Sequence, residues 1–252
     1  MKLKRYLWIA VCLIALAVSV LPAYSQQFLQ PHTGFQVSTL GALNVGVYEA
    51  AATIAELKPH GDFGLGAPEG LDGEMVILNG KFYQIKADGV AYPVTDDSKT
   101  SFSTVTFFRR ERSLRLTGQM TYQELLSQID EQLPTSNLPY AIRLRGTFPS
   151  LKVRSVPKQT PPYRPLNDVV NQQQIVFELQ NVQGTLVGFR LPQYLQSVNE
   201  AGYHLHFITN DRLAGGHLLD GAFLNPVVDV ETLRDWQITL PNNTGFEQAS
   251  LE

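Results

Sequence analysis

Three histidines, His204, His206 and His217, are the residues whose types and spacing most directly suggest chemistry. Their neighbours Tyr203, Leu205, Phe207 and Ile208 favour a strand. Strand side chains alternate between faces, so His204 and His206 point the same way. The Gly215–Gly216 pair is expected to turn the chain and return His217 beside them. Three convergent imidazoles suit a catalytic zinc with an open coordination position. The competing account is three ordinary hydrogen-bonded histidines of the surface or core. Zinc held by neutral imidazoles keeps most of its charge and is a strong Lewis acid. A small substrate with adjacent hydroxyl and carbonyl oxygens could chelate it, and charge developing on the carbonyl oxygen would be stabilised. With a carboxylate on the neighbouring carbon, carbon dioxide can depart and leave its bonding pair in a metal-stabilised enediolate, which an acid reprotonates at carbon. Two other classes fit the same ligands: a zinc hydrolase or hydratase that activates water, and a noncatalytic exported binding domain.

Decarboxylation needs a cation to orient the carboxylate and a carboxyl group to handle the proton. Arg154 offers a fork matched to a carboxylate. Glu74 offers a proton relay or a further metal ligand. The alternatives are a solvated strand arginine and a glutamate that caps or solubilises a turn. The alternation of Leu151 to Val156 puts Arg154 opposite Leu151 and Val153 unless a bulge intervenes. His32 lies near the processed N-terminus and His60 at an expected helix end, where an imidazole complements the helix dipole.

The elements that must position these groups are mostly strands. Glu74–Leu78 and Lys81–Ile85 flank Asn79–Gly80, a hairpin signal. Strands are also expected at 105–108, 140–145, 151–156, 175–179, 184–190, 227–230 and 237–240. Apolar residues at helical spacing suggest a helix over Tyr48–Leu57, and Thr121 with Glu124 forms a capping box for a helix ending before Pro134. Leu166–Gln174 reads as a short helix, and the glycine-rich Gly61–Gly70 as a positional loop without a phosphate-binding pattern. Strands outnumber helices, which gives an α+β fold of mixed or antiparallel sheets with a few covering helices. Pro157, Pro161, Pro162 and Pro165 mark an extended junction. It divides the mature chain into an N-terminal sheet domain, 26–156, and a C-terminal sheet domain, 157–252, that carries the histidines.

The N-terminus reads as a secretory signal, residues 1–25: a basic start, an apolar run from Leu7 to Leu21, and small residues before a cut after Ser25. The alternative is an uncleaved anchor, but the run is short for a bilayer and Pro22 closes it. Export to periplasm or medium is expected, with no stable membrane span afterwards. The cleavage removes the sole cysteine, Cys12, which excludes thiolate catalysis and disulfides, so the core must suffice alone. Losing Lys2, Lys4 and Arg5 from a net charge of −3 leaves −6, with no basic stripe for nucleic acid.

Several motifs in order, Gly61-Asp62-Phe63-Gly64-Leu65-Gly66, Leu71-Asp72-Gly73-Glu74-Met75, Gly80-Lys81-Phe82-Tyr83-Gln84, Arg154-Ser155-Val156-Pro157-Lys158-Gln159, Pro162-Tyr163, and Tyr203-His204-Leu205-His206-Phe207 with Gly216-His217, resemble alpha-acetolactate decarboxylases from about Thr39 to Ala249. The resemblance implies a zinc lyase that converts 2-acetolactate, a 2-hydroxy-3-oxo acid, to acetoin and carbon dioxide. It also implies two sheet-containing domains with the zinc near their junction, a homodimer, and frequent export. Residue by residue, His204, His206 and His217 match the family's zinc ligands, Glu74 its active-site glutamate and Arg154 its active-site arginine. There are two departures. Gly66-Ala67-Pro68 stands where the family shows Gly-Thr-Phe, which removes a hydroxyl available to orient substrate. The family also continues past the match to Phe246-Glu247-Gln248-Ala249 into an acidic segment with a second active-site glutamate, whereas this sequence stops at Glu252. Either Glu252 or another carboxylate serves instead, or proton delivery and its stereochemical control are weakened.

Overall fold

Alternating apolar and polar residues, broken by Gly, Pro and Asn turns, give a chain dominated by strands. A computed structural model describes residues 32–251. The signal segment and Glu252 lie outside the described residues. In chain order the elements are β1 (Thr33–Val37), α1 (Leu40–Asn44), β2 (Ala52–Thr53), α2 (Ile54–Leu57), β3 (Phe63–Pro68), β4 (Glu74–Leu78), β5 (Lys81–Ile85), β6 (Ala91–Pro93) and β7 (Lys99–Thr106). They continue with β8 (Arg112–Arg115), β9 (Gln119–Thr121), α3 (Tyr122–Asp130), β10 (Tyr140–Ser155), α4 (Leu166–Gln173), β11 (Ile175–Leu191), β12 (Gly202–Thr209), β13 (Gly215–Thr232), β14 (Asp235–Thr239) and α5 (Thr244–Gln248). No helix among the described residues is long and apolar enough to cross a membrane.

One sheet has the order β14-β1-β7-β3-β4-β5-β6, with β2 also on β7. The Asn79–Gly80 turn joins β4 to β5 as expected, both residues having positive φ (54° and 71°). The second sheet is built on the long strands β10, β11 and β13, with β12, β8 and β9. β10 pairs with both β11 and β13, and β12 pairs with the same two strands, so the hydrogen-bonding circuit of these four closes. Register shifts on the β10–β13 ladder, between Arg145 and Thr147, Thr147 and Ser150, and Lys152 and Val153, supply the bending that closure needs. Inside the circuit Leu144, Phe148, Leu151, Leu186, Phe207 and Phe223 form one core. Between the sheets, Phe63, Leu65, Val76 and Ile85 of the first pack with Ala141, Val187, Phe189 and Ile208 of the second. On the first sheet's outer face, α2 contributes Ile54 and Leu57 to a smaller core with Phe35, Ile77 and Phe82.

Several expectations are corrected. Sheet membership does not divide at Pro157. β8, β9 and β10 precede it but belong to the second sheet, while β14 follows it and joins the first. The prolines lie in the connection from β10 to α4, and β10 itself is an inner strand of the second sheet, paired along both edges. The glycine-rich Gly61–Gly70 is not a loop: Phe63–Pro68 is a buried strand. Its glycines permit close approach to β7, and a Cβ on Gly66 would lie 2.4 Å from the Phe102 carbonyl oxygen. The helical pattern over Tyr48–Leu57 forms only at its end, where a Thr53–Glu56 capping box starts α2. The Thr121–Glu124 box caps α3 as expected.

Candidate metal centre

Strand pairing places the chemistry-bearing residues in adjacent registers. Arg154 on β10 is the cross-strand partner of His217 on β13, and His217 is the partner of His206 on β12. His204, two residues along β12, shares the face of His206, while Leu205 and Phe207 point into the core of the second sheet. Leu151 and Val153 lie in that core too, so Arg154 faces outward, toward the histidines. The glycines expected to form the turn lie within β13 instead, Gly216 opposite Phe207 and Gly215 opposite Ile208. The turn itself runs from Thr209 to Ala214, with the Thr209 amide donating to the Ala214 carbonyl (2.9 Å) and Arg212 at positive φ (64°).

Nε2 of His206 lies 3.2 Å from Nε2 of His204 and 3.2 Å from Nδ1 of His217. The three ligand atoms all lie within 4.8 Å of one another. Nδ1–H of His206 donates to the Met75 carbonyl (2.8 Å), which fixes the tautomer and leaves Nε2 with a free lone pair aimed at the other two rings. Nδ1 of His204 is buried without a hydrogen-bond partner. Burial depresses all three imidazoles, His206 to about 4 and His204 and His217 well below the usual value, so each is a neutral ligand at ordinary pH. Neutral nitrogens gathered this closely, with few protons to share among them, fit a divalent ion; the triad could hold a metal.

The first sheet supplies the opposite wall. Glu74, at the start of β4 and 8% exposed, brings Oε2 to 3.4 Å from Nε2 of His206 and Oε1 to 3.9 Å from Nε of Arg154. Burial pushes its carboxyl up to about 7 against the opposing pull of Arg154. Nε of Arg154 is buried without a hydrogen-bond partner, so this end of the guanidinium is free to bind an anion. These groups line a cavity of about 70 Å³, roofed by Leu40 and Leu43 of α1, Leu71, and Leu166 and Val170 of α4. Ala67 also lines it. The Ala67 carbonyl accepts from the hydroxyls of Thr100 (2.7 Å) and Ser101 (3.2 Å), so those hydroxyls are engaged with backbone.

All five residues singled out from the sequence therefore meet at one cavity. His32 and His60 lie elsewhere: His60 stacks on Phe35, and His32 faces Glu111 and Glu231. Sequence reasoning missed Glu200, which lines the same cavity, and the roof from α1 and α4. Glu200 sits in an irregular loop, where no periodicity assigns a facing. Its only sequence signal is its place four residues before His204.

The alpha-acetolactate decarboxylase family model matches residues 35–252. The alpha-acetolactate decarboxylase of Methanosarcina mazei is 52% identical over 217 residues, 86% of this chain and 75% of that protein. The one from Methylococcus capsulatus is 44% identical, over 88% and 85% of the respective chains. The crystal structure of alpha-acetolactate decarboxylase from Bacillus subtilis strain 168 superposes with a TM-score of 0.85 at 36% identity, covering 87% of this chain and 94% of that one. Fold and sequence agree, and the chain belongs to the alpha-acetolactate decarboxylase family, whose members are carbon–carbon lyases.

Proposed function

We propose that this chain is a zinc-dependent decarboxylase that converts 2-acetolactate to acetoin and carbon dioxide. The observation that carries the proposal is the convergence of three neutral imidazole nitrogens with the open Nε edge of Arg154 in one cavity. When bound, the ion supplies a Lewis acid for charge developing on the substrate oxygens. Arg154 binds the substrate carboxylate and holds it in the geometry from which carbon dioxide departs. The carbon–carbon bond breaks, its electron pair stays on the substrate, and a proton then adds at carbon. Glu74 holds a proton beside that reaction, its carboxyl raised toward neutrality by burial. The aliphatic roof excludes water, which strengthens the grip of Arg154 on an anion. Export of the mature chain belongs to the same proposal and rests on the signal pattern of residues 1–25.

Metal analysis of the purified protein, coupled to an acetoin assay, tests this directly. The expected result is zinc bound in stoichiometric amount, with acetoin release abolished by a chelator and restored by zinc. His206→Ala is expected to lose both metal and activity. A zinc-loaded protein that releases no acetoin but hydrolyses esters or hydrates carbon dioxide would overturn the decarboxylase in favour of water activation.

A further inference from the structure

We propose that Glu200 is the group through which the reaction's proton enters the cavity. The inference rests on the decarboxylase function proposed above. Loss of carbon dioxide from a carboxylate leaves an electron pair on carbon that must be protonated, so each turnover consumes one proton from solvent. Glu74 cannot collect it alone. It lies on the closed wall, 8% exposed, between His206 and Arg154. Apart from Arg154, a permanent cation, and the three imidazoles gathered as ligands, the remaining wall is aliphatic or aromatic and has no proton to give. Among the described residues lining the cavity, the only carboxyl groups are Glu74 and Glu200. Glu200 touches both phases: it lines the cavity, yet as a residue it is exposed to solvent. Partial burial raises its carboxyl above the usual range, while Arg154, which lines the same cavity, draws it down.

The loop that carries Glu200 is pinned, so the placement is built rather than incidental. Asn199, 1% exposed, donates through Nδ2 to Oε1 of Gln36 (2.8 Å) and Oγ1 of Thr104 (2.8 Å), both buried in the first sheet. Its Oδ1 accepts the Glu200 amide (2.7 Å). Nε2 of Gln36 donates to the Val198 carbonyl (2.7 Å), and the amides of Leu40 and Gly41 donate to the carbonyls of Val198 (3.0 Å) and Ser197 (2.7 Å). Loop and roof are therefore one unit, because α1 supplies both Leu40 and these two donors. In the step itself, a proton from bulk water binds the Glu200 carboxylate, passes into the cavity to replace the one added to the product carbon, and leaves Glu200 ionised for the next turnover.

Glu200→Gln and Glu200→Ala in the zinc-loaded enzyme test this, with acetoin release measured as a function of buffer concentration. The expected result is a fall in kcat of at least about tenfold in dilute buffer, with KM, zinc content and melting temperature close to wild type. In Glu200→Ala, raising the concentration of MES, a buffer acid that ligates zinc poorly, should restore kcat in a saturable way, and the wild type should be indifferent to it. Two outcomes overturn the proposal: either variant turning over at the wild-type rate in dilute buffer, or a loss that buffer does not rescue while zinc and fold are retained. A zinc-loaded wild type that releases no acetoin overturns the decarboxylase function itself, which is a distinguishable failure.

Discussion

At the scale of single residues, charge geometry matters more than charge. Arg154→Lys keeps the cation but replaces a planar fork by a point charge that cannot hold a carboxylate bidentately. Activity on acetolactate is expected to fall at least about tenfold, with metal content unchanged; equal turnover would remove the clamp from the mechanism. The histidine triad was legible because a His-x-His pair on a strand can only face one way. Arg154 was half legible: alternation gave its side of β10, but a shift between Lys152 and Val153 on the β13 side lies immediately before it. Glu74 was visible as the residue opening a hairpin strand and as the match to the family's active-site glutamate, while its 3.4 Å approach to His206, which joins residues 132 positions apart, is set by the packing of the two sheets. Glu200 lay beyond pattern altogether, since its placement depends on Asn199 reaching Gln36 and Thr104 across the fold.

At the scale of elements, close strand approach sets the site. Gly216 has φ of +150°, and a Cβ there would lie 2.6 Å from the Arg154 carbonyl oxygen. Gly216→Ala is expected to push β13 from β10 beside His217, lowering stability by about 1–3 kcal/mol and weakening metal affinity, read by denaturant melts and by competition with a chromophoric chelator. Unchanged affinity would mean that the triad tolerates a displaced β13. The same close packing explains what the sequence hid. Gly64 and Gly66 punctuate β3 like a loop, yet they are small because the backbone of β7 lies against them. The long strands β10 and β11 were legible only as halves, because the interruptions at Gly146–Ser150 and Gln180–Gln183 look like strand ends. The short hairpin and the capped helix were read correctly because both are fixed by local chemistry: positive φ at Asn79 and Gly80, and a side-chain cap at Thr121.

At the scale of the whole molecule, the two sheets are joined away from the cavity by a second ionisable cluster. His32, just before β1, places Nδ1 3.3 Å from Oε1 of Glu111 and 3.3 Å from Oε1 of Glu231 on β13. Burial raises the Glu231 carboxyl to about 7. Its folded value thus exceeds its unfolded one, so the fold binds this proton more tightly than the unfolded chain does. The stabilisation is complete below about pH 4.5 and is lost as pH rises through about 7. Glu231→Gln removes the charge but keeps an oxygen for the Arg109 amide, which now donates to Oε2 (2.8 Å). The variant is expected to melt a few degrees above wild type at pH 8, with the difference vanishing near pH 4; a pH-independent difference would contradict the assignment. Across the molecule the hydrogen bond from His206 to Met75 has a wider consequence, because it ties a ligand on one sheet to the backbone of the other. Any ion that tightens on the triad must, by thermodynamic reciprocity, also tighten the grip of the sheets on each other. Loading and docking become two readings of one equilibrium, and the metal would act as a clasp whose release loosens the protein along its central seam.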